Sequence, residues 1–577
     1  MSNDNGGSFN LMDRPWIPVT MLNDGEHREL SIIETFEQAG AIRSIDGDIP
    51  LQRFAIIRLL IAILYGRFGN DITAEEWKED LYDHGADDSD IVQAIRDYCE
   101  TWRYRFDLFD DKVPFYQVAG LHTAKHEVSG LERLILDVPS GEPMFTTRLG
   151  EGLQSISAAE AARWLVAVQA YDASGIKSGA VGDPRVKGGK GYPIGVAWAG
   201  HLGGYLIEGA NLWKTLILNY AGYEALELGA VDDQWEDDAP IWEREPLGAK
   251  PCTGFDQPVE RTADTSFFHG PATLMTWQSR RMLLAHEGEM VTGVLVCNGD
   301  RLKPQNGQCF ETMTGWRRSP TQEKAIKRPL VYMPRKHDPA RALWRGLPLL
   351  TGVEDGDNAN TNTALRPYTM VWLSHIRSAM QWIDTVPIRL HAFGVEYGNN
   401  DAVIDTAIDD MLDLNLIVIT SRNPNMGQML RQAVDNTDQG VSALRMLAAN
   451  IASAAGLPTE SAQRRASELG YATFDRAFRQ WVRGIDHDGD LYELHTQWNR
   501  TARTILLRLS AQITTQASPR AIVGRDVTAA DGTVRHYSVA LAEIWFRSKL
   551  NSIFGTANAP TSEPDSLKSS RDKETEQ

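Results

Sequence analysis

Apolar positions recur at helical spacing over residues 51–66, which predicts a long buried helix, and Thr73-Ala74-Glu75-Glu76 reads as a capping box opening a second one. Ahead of them, residues 9–19 read as a short strand punctuated by Pro15 and Pro18. Another capping box, Ser157-Ala158-Ala159-Glu160, predicts an apolar helix that stops near Asp172. The texture then changes. Between residues 205 and 420, short β-like runs at 292–297, 330–333 and 389–393 mix with turns and a few helices, without regular βαβ alternation. From about Asn425 the period is wholly helical, over 429–455, 460–484, 491–513 and 538–550, and the connections suit an up-and-down bundle. The predicted fold class is α+β: a large mixed N-terminal domain over 1–420 followed by a C-terminal four-helix bundle over 421–556. Residues 557–577 carry Pro560, Pro564 and many polar side chains with no apolar period, so a disordered tail is expected.

Composition narrows the class. The chain has 577 residues, of which 42% are hydrophobic, with 16 Trp, which excludes wholesale disorder and a fibrous protein. A formal net charge of −19 argues against coating nucleic acid or membrane with the whole surface, while leaving room for a local basic site. The four cysteines, Cys99, Cys252, Cys297 and Cys309, form no CxxC pair and are too few for a disulfide framework, so reduced thiols are expected. The opening Met1-Ser2-Asn3-Asp4-Asn5-Gly6-Gly7 has neither the basic nor the apolar region of a signal peptide. The longest apolar stretch, around residues 54–65, is broken by Arg58 and falls short of the roughly 20 residues a bilayer span needs. A soluble, cytoplasmic protein is the expectation.

Catalytic motifs nearly occur and then fail. His286-Glu287-Gly288-Glu289-Met290 begins like HExxH but puts Met where the second ligand belongs. No GxxxxGK[ST] or GxSxG is present. Asp486-His487-Asp488-Gly489-Asp490 carries a His-Asp dyad, yet it falls between two predicted helices, where Asp and Gly are the usual turn and cap residues. Cys297 and Cys309 would need metal partners from elsewhere in the chain, and two such cysteines are more often a small buried hydrophobe and a loop residue. No cofactor and no metal are expected.

Three other features carry more weight. Residues 175–204 hold ten glycines with Lys177, Arg185, Lys187 and Lys190 among them, a set of turns whose backbone can approach another molecule closely. Residues 317–345 hold nine basic side chains against two acidic ones, a local +7 that leaves −26 for the rest of the chain. Interleaved with Trp316, Tyr332 and Trp344, this island has the footprint of a confined phosphate-backbone site, although a solvated face would have the same composition. Glu396-Tyr397-Gly398-Asn399-Asn400-Asp401-Ala402 reads as a glycine-asparagine turn between a strand-like run and a helix-like one; Asn side chains at a protruding tip can also enter a base stack.

Taken in order, several segments resemble one family. These are residues 10–19, Phe106-Asp107-Leu108-Phe109 with Pro114-Phe115-Tyr116-Gln117-Val118, Phe145-Thr146-Thr147 ahead of a helix and its following glycine loop, Trp277-Gln278, Thr314-Gly315-Trp316, and residues 397–402. The set is similar to the large-subunit family of the type I-E CRISPR surveillance complex, Cascade. The resemblance implies a non-catalytic DNA-binding and RNA-binding subunit that recognises the protospacer-adjacent motif in target double-stranded DNA. It also implies opening of the duplex for guide RNA pairing, an R-loop, and help in recruiting a helicase-nuclease. Its implied partners are the other Cascade subunits, guide RNA and target DNA, with no membrane. By position, the DNA-binding residues it implies are the glycine loop Gly175, Ile176, Lys177, Ser178 and Gly179, a groove-reaching Lys324 with Lys327 or Arg318 as alternates, and the wedge tip Asn400, Asp401 and Ala402. Phe145, Thr146, Thr147 and Arg148 match a loop near the guide RNA and the bound DNA. Arg464, Arg465, Arg476, Arg479, Arg483, Arg500, Arg503 and Arg508 of the bundle face either neighbouring subunits and displaced DNA or plain solvent. Two rival functions remain open from the residues: a metal-dependent phosphohydrolase using His487 and Asp488, and a purely structural assembly subunit.

Overall fold

A computed structural model describes residues 7–138, 153–225, 235, 237–252, 270–351, 364–528 and 532–555. The chain falls into two compact units, Met1–Pro424 and Asn425–Gln577.

The first unit opens with more strand than the sequence pattern predicts. β1 (Ile17–Met21) is the centre of an antiparallel sheet between β2 (His27–Leu30) and β3 (Ile42–Ile45). α1 (Ile32–Glu37) sits between β2 and β3, with Ser31 and Glu34 exchanging a reciprocal capping box. The predicted long helix is α2 (Pro50–Phe68), which starts on a proline and is buried along most of its length. Its buried arginine is internally matched: Arg58 donates to both carboxylate oxygens of Glu311 at 2.7 and 2.8 Å, and Trp198 Nε1 donates to the same carboxylate at 2.8 Å. α3 (Ser89–Trp102) packs against α2. β4 (Ile156–Ser157) leads into α4 (Ala158–Tyr171), where the Ser157 hydroxyl accepts from the Glu160 amide at 3.2 Å, and the helix ends at Asp172 as its pattern predicts.

Beyond α4 come β5 (Lys177–Ser178), β6 (Lys190–Gly191), β7 (Gly203–Glu208), α5 (Leu212–Asn219), α6 (Pro271–Met275), β8 (Arg280–Glu287) and β9 (Met290–Asn298). The order β4-β9-β5-β6, with β8 also on β9, makes a five-stranded sheet. The His286–Met290 stretch is the turn joining β8 to β9, with Gly288 at φ 58°, so its resemblance to a helical zinc motif has no structural basis. β10 (Trp316–Arg318), α7 (Pro320–Ile326), β11 (Tyr332–Pro334), β12 (Ala364–Leu365) and α8 (Tyr368–Ala379) follow, and β10 pairs with both β11 and β12. β13 (Pro387–Tyr397) and β14 (Ile404–Asn415) form a long hairpin extended by β7, and α9 (Ile417–Thr420) closes the unit.

β14 corrects an expectation. The apolar spacing Ile404, Ile408, Leu412 reads as a helix, but the segment runs as a strand with its ladder bonds on β13 and with Leu412 and Leu414 buried on one face. Spacings of four satisfy both periods, and pairing with β13 decides between them.

The second unit is helical: α10 (Pro424–Ala455), α11 (Glu460–Arg483), α12 (Leu491–Thr515) and α14 (Val539–Phe554), with the short α13 (Pro519–Val523) between the last two. Phe478 and Trp498 cross edge-to-face at 5.0 Å in its seam, and Trp498 Nε1 donates to the Ala433 carbonyl at 3.1 Å. One element escapes the sequence reading: a hairpin of β15 (Arg525–Thr528) and β16 (Val534–Tyr537). Asp531-Gly532 is a standard hairpin signal that would have found it. The predicted tail over 557–577 lies outside the described residues. Among the described residues, no helix is long and apolar enough to cross a membrane.

Candidate nucleic-acid interface

Where α4 ends, the chain enters the glycine-rich segment, and one buried side chain shapes it. The Arg280 guanidinium on β8, 1% exposed, donates Nε to Asp172 Oδ2 at 2.5 Å and Nη2 to the carbonyls of Ala173 at 3.1 Å and Gly195 at 2.9 Å. It therefore ties the entry to the segment, and Gly195 within it, to the sheet. Lys177 joins the same carboxylate, Nζ to Asp172 Oδ2 at 2.6 Å, with only 10% of its side chain exposed. Burial by itself would raise the pKa of Asp172, but the two cations hold it below the usual carboxylate range. Burial pushes the Lys177 pKa down, and Asp172 opposes that shift. Lys177 thus anchors the loop, and what Gly175–Gly179 presents outward is backbone and the half-exposed Ile176. At Gly179 a side chain would meet the Gly189 carbonyl at 2.6 Å, so only glycine allows the two turns to stack.

The tip of the β13–β14 hairpin lies beside this loop. Asn400 (φ 57°) and Asp401 (φ 54°) both adopt the left-handed conformation, which Asn and Asp tolerate better than other side-chain-bearing residues. Both are exposed, as is Ala402. The Ser174 amide donates to the Asp401 carbonyl at 2.7 Å, joining loop and tip directly. Tyr397 at the base of the tip donates its hydroxyl to the Tyr171 carbonyl at 2.6 Å. Gly175, Ile176, Lys177, Ser178 and Ala402 line one cleft of about 560 Å³.

The basic island divides. Trp316↔Pro334 and Arg318↔Tyr332 set the register of the β10–β11 hairpin, so α7, which follows Arg318, leaves from one end and residues 335–337 leave from the other. Lys324 is exposed on α7, next to Glu323, whose carboxylate accepts from Arg318 Nε at 2.6 Å. At the opposite end Lys336 is exposed, and its ammonium stands 5.2 Å from the Tyr397 ring centroid. Partial burial lowers the Lys336 pKa, and Asp401 and Glu396 oppose that. Nearby, burial drives the His201 pKa down to about 3, with Lys336, Arg301 and Arg280 adding to the effect, so His201 is neutral. Trp316, Tyr332 and Trp344 are all buried, which removes them as stacking surfaces. They read as interleaved recognition aromatics in the sequence because composition does not distinguish a core ring from a surface ring.

Loop and tip, named separately in the sequence through the family resemblance, are joined in the structure, and sequence reasoning passed over Arg280 and Lys336. Lys336 belonged to the island all along, and only the register of β10 on β11 separates it from Lys324. Phe145, Thr146, Thr147 and Arg148 lie outside the described residues. Of the bundle arginines, Arg464, Arg465, Arg476, Arg483, Arg500 and Arg508 are exposed, Arg479 pairs with Asp475 at 2.8 Å, and Arg503 donates to Asn551 at 2.8 Å. His487 and Asp488 sit in the turn ahead of α12, where Asp490 accepts from the amides of Tyr492 at 2.9 Å and Glu493 at 3.2 Å as a helix cap. No group of three or more potential metal ligands occurs among the described residues.

The model of the family described as CRISPR-associated protein Cse1 matches residues 10–509. This chain belongs to the Cse1 family. CasA/Cse1 of Thermus thermophilus is 30% identical over 288 residues, which is 49% of this chain and 50% of that relative, so the matched stretch spans about half the length of the curated protein. The crystal structure of Thermobifida fusca Cse1 is 39% identical, with a TM-score of 0.84 over 95% of this chain and 98% of that one. A chain from a structure titled "CRISPR RNA-guided surveillance complex" shares the fold at a TM-score of 0.66 and 18% identity, over 94% of this Cse1-family chain and all of that one.

Proposed function

We propose that this chain is the large, non-catalytic subunit of a type I-E CRISPR RNA-guided surveillance complex, working with the other Cascade subunits and a guide RNA. In this reading it recognises the protospacer-adjacent motif of target double-stranded DNA, begins to open the duplex for guide pairing, and helps recruit the helicase-nuclease. The observation that carries it is the junction of glycine loop and hairpin tip at one cleft, bonded through Ser174 and Asp401.

The chemistry suits the task. Backbone with little side-chain bulk can approach a narrow groove, a nearby cation suits the groove's negative potential, and a preformed tip can unstack a base step at a cost of a few kcal/mol. Asn400, Asp401 and Ala402 form the wedge, Gly175–Gly179 the groove-facing backbone, and Lys336 the cation beside the wedge. Asp401 repels phosphate, so its contribution is the turn geometry of its backbone. Phe145, Thr146, Thr147 and Arg148 contact guide RNA and DNA. Membership of the Cse1 family and the shared fold of a surveillance-complex chain support the assignment.

The test uses the assembled complex with its guide RNA. Replacing Asn399–Ala402 by a Gly-Gly turn should abolish opening of intact duplex targets, read by permanganate reactivity of the unpaired thymines, while a target pre-opened as a bubble still binds. Equal opening by the variant would overturn the wedge. Lys336→Ala should weaken duplex binding more than Lys324→Ala does, and the reverse order would return the cation's role to Lys324.

A further inference from the structure

Next to the glycine loop stands a second small hairpin, Lys187-Gly188-Gly189-Lys190, that the proposed function has not used. Its turn is fixed by the backbone. The Lys187 amide donates to the Lys190 carbonyl and the Lys190 amide to the Lys187 carbonyl, each at 3.1 Å, and Gly188 and Gly189 take φ 59° and 73°. Two successive left-handed residues are what a tight hairpin turn requires, and the Gly-Gly pair supplies them without strain. In this geometry the two lysines are directly opposed across the ladder, so their side chains leave from the same face of the hairpin. Tyr192, two residues beyond Lys190, extends along that face and is 54% exposed.

The base of the hairpin is held firmly. Arg185 donates Nε and Nη2 to the Asp183 carboxylate at 3.0 and 2.9 Å, and Nη2 also donates to the carbonyls of Asn298 and Gly299 at 3.3 and 3.0 Å, pinning the approach to the end of β9. Ser178↔Lys190 and Lys177↔Gly191 tie the return arm to the glycine loop. Arg185 is therefore used structurally, whereas Lys187 and Lys190 are exposed and neither has an ion-pair partner among the described residues. Two adjacent like charges repel, and in a chain of net charge −19 carboxylates are abundant, yet among the described residues neither lysine is ion-paired with one. Gly189 and Lys190 line the same cleft as Gly175 and Ala402.

We propose that Lys187 and Lys190 form a phosphate clamp for double-stranded DNA, gripping the backbone of the duplex whose groove faces the glycine loop. The inference rests on the DNA-reading function proposed for that cleft. The hairpin supplies position and affinity without sequence preference, because phosphates are alike at every step.

The experiment measures duplex target binding by the assembled, guide-loaded complex across a salt series. For K187A/K190A, the magnitude of the slope of log affinity against log salt should fall by about 1.8, two phosphates at about 0.9 each, and affinity should weaken equally for preferred and non-preferred adjacent motifs. K187R/K190R should restore both. An unchanged slope and affinity in K187A/K190A, while the tip variant still loses duplex opening, would overturn the clamp alone. An unchanged tip variant would instead remove the DNA-reading function beneath it. A loss confined to one adjacent motif would overturn the clamp too, since it would show base readout. Complex assembly and melting temperature should match wild type, and a variant that fails either is replaced by Lys190→Gln, for which the expected slope change is about 0.9.

Discussion

The two units are held together by different means. In Met1–Pro424 the interior carries charge: Arg58, Arg280 and Arg281 are at most 2% exposed, and each is matched to a carboxylate, Glu311, Asp172 and Asp300 respectively. In Asn425–Gln577 the seam is built from side chains such as Leu444, Phe474, Phe478, Trp498 and Leu506, and no Arg, Lys, Asp or Glu is buried among the described residues. The difference follows from how each unit meets its backbone hydrogen bonds. Long helices satisfy their own amides and carbonyls, so apolar packing suffices. A unit built from short strands and long connections leaves carbonyls unpaired, and an internal guanidinium with five donors can serve several at once, as Arg280 does for Ala173 and Gly195.

The contrast can be broken from either side. The largest effect is expected at Arg58→Met, which leaves Glu311 charged and buried and should cost about 3–5 kcal/mol in chemical denaturation, with hydrogen exchange placing the loss on α2. R58M/E311Q, which keeps an acceptor for Trp198, should recover about half of that; no recovery would mean that the cost lies in packing and not in charge. In the helical unit Leu506→Ala should cost about 3 kcal/mol by leaving a cavity. There the repair is apolar. An ideal Cβ on Gly440 would approach Leu506 Cδ1 to 2.4 Å, so Gly440→Ala should be harmful alone and should restore about 1 kcal/mol in the Leu506→Ala background.

The smallest effect is a pH dependence confined to the first unit. His391, 1% exposed, hydrogen-bonds Glu208 Oε1 at 2.8 Å and Asp409. Burial alone would lower its pKa, but the bonds from Asp409 and Glu208 hold it above the usual histidine value. The protonated form is thus favoured by folding. Its stabilisation is complete below the unfolded pKa of about 6.5 and is lost as pH rises through the higher folded value. Unfolding followed from about pH 6 upward should show that decline in wild type and a flatter profile in His391→Gln; parallel profiles would exclude the cluster as its source.

Legibility in the sequence followed the same division. α2, α4, α10, α11, α12 and α14 were readable because apolar period, capping boxes and length agree with the packing. β14 and Lys336 were not, since pairing partners and strand register come from residues distant in sequence. The glycine loop and the tip were legible as turns, and their junction at Ser174 and Asp401 is a long-range hydrogen bond with no local signature. Arg280 was invisible for the same reason: a buried arginine and a surface arginine are spelled alike.

The Arg280 tie also bears on timing. A recognition loop that folds only on contact gives up roughly 1–2 kcal/mol of backbone freedom per residue at every encounter, right or wrong. Here the bonds from the guanidinium to Asp172, Ala173 and Gly195 lie within the chain itself, so this part of the ordering belongs to folding. In the function proposed above, a search through many incorrect sequences would then consist of brief collisions, the time spent on each being set by dissociation instead of refolding.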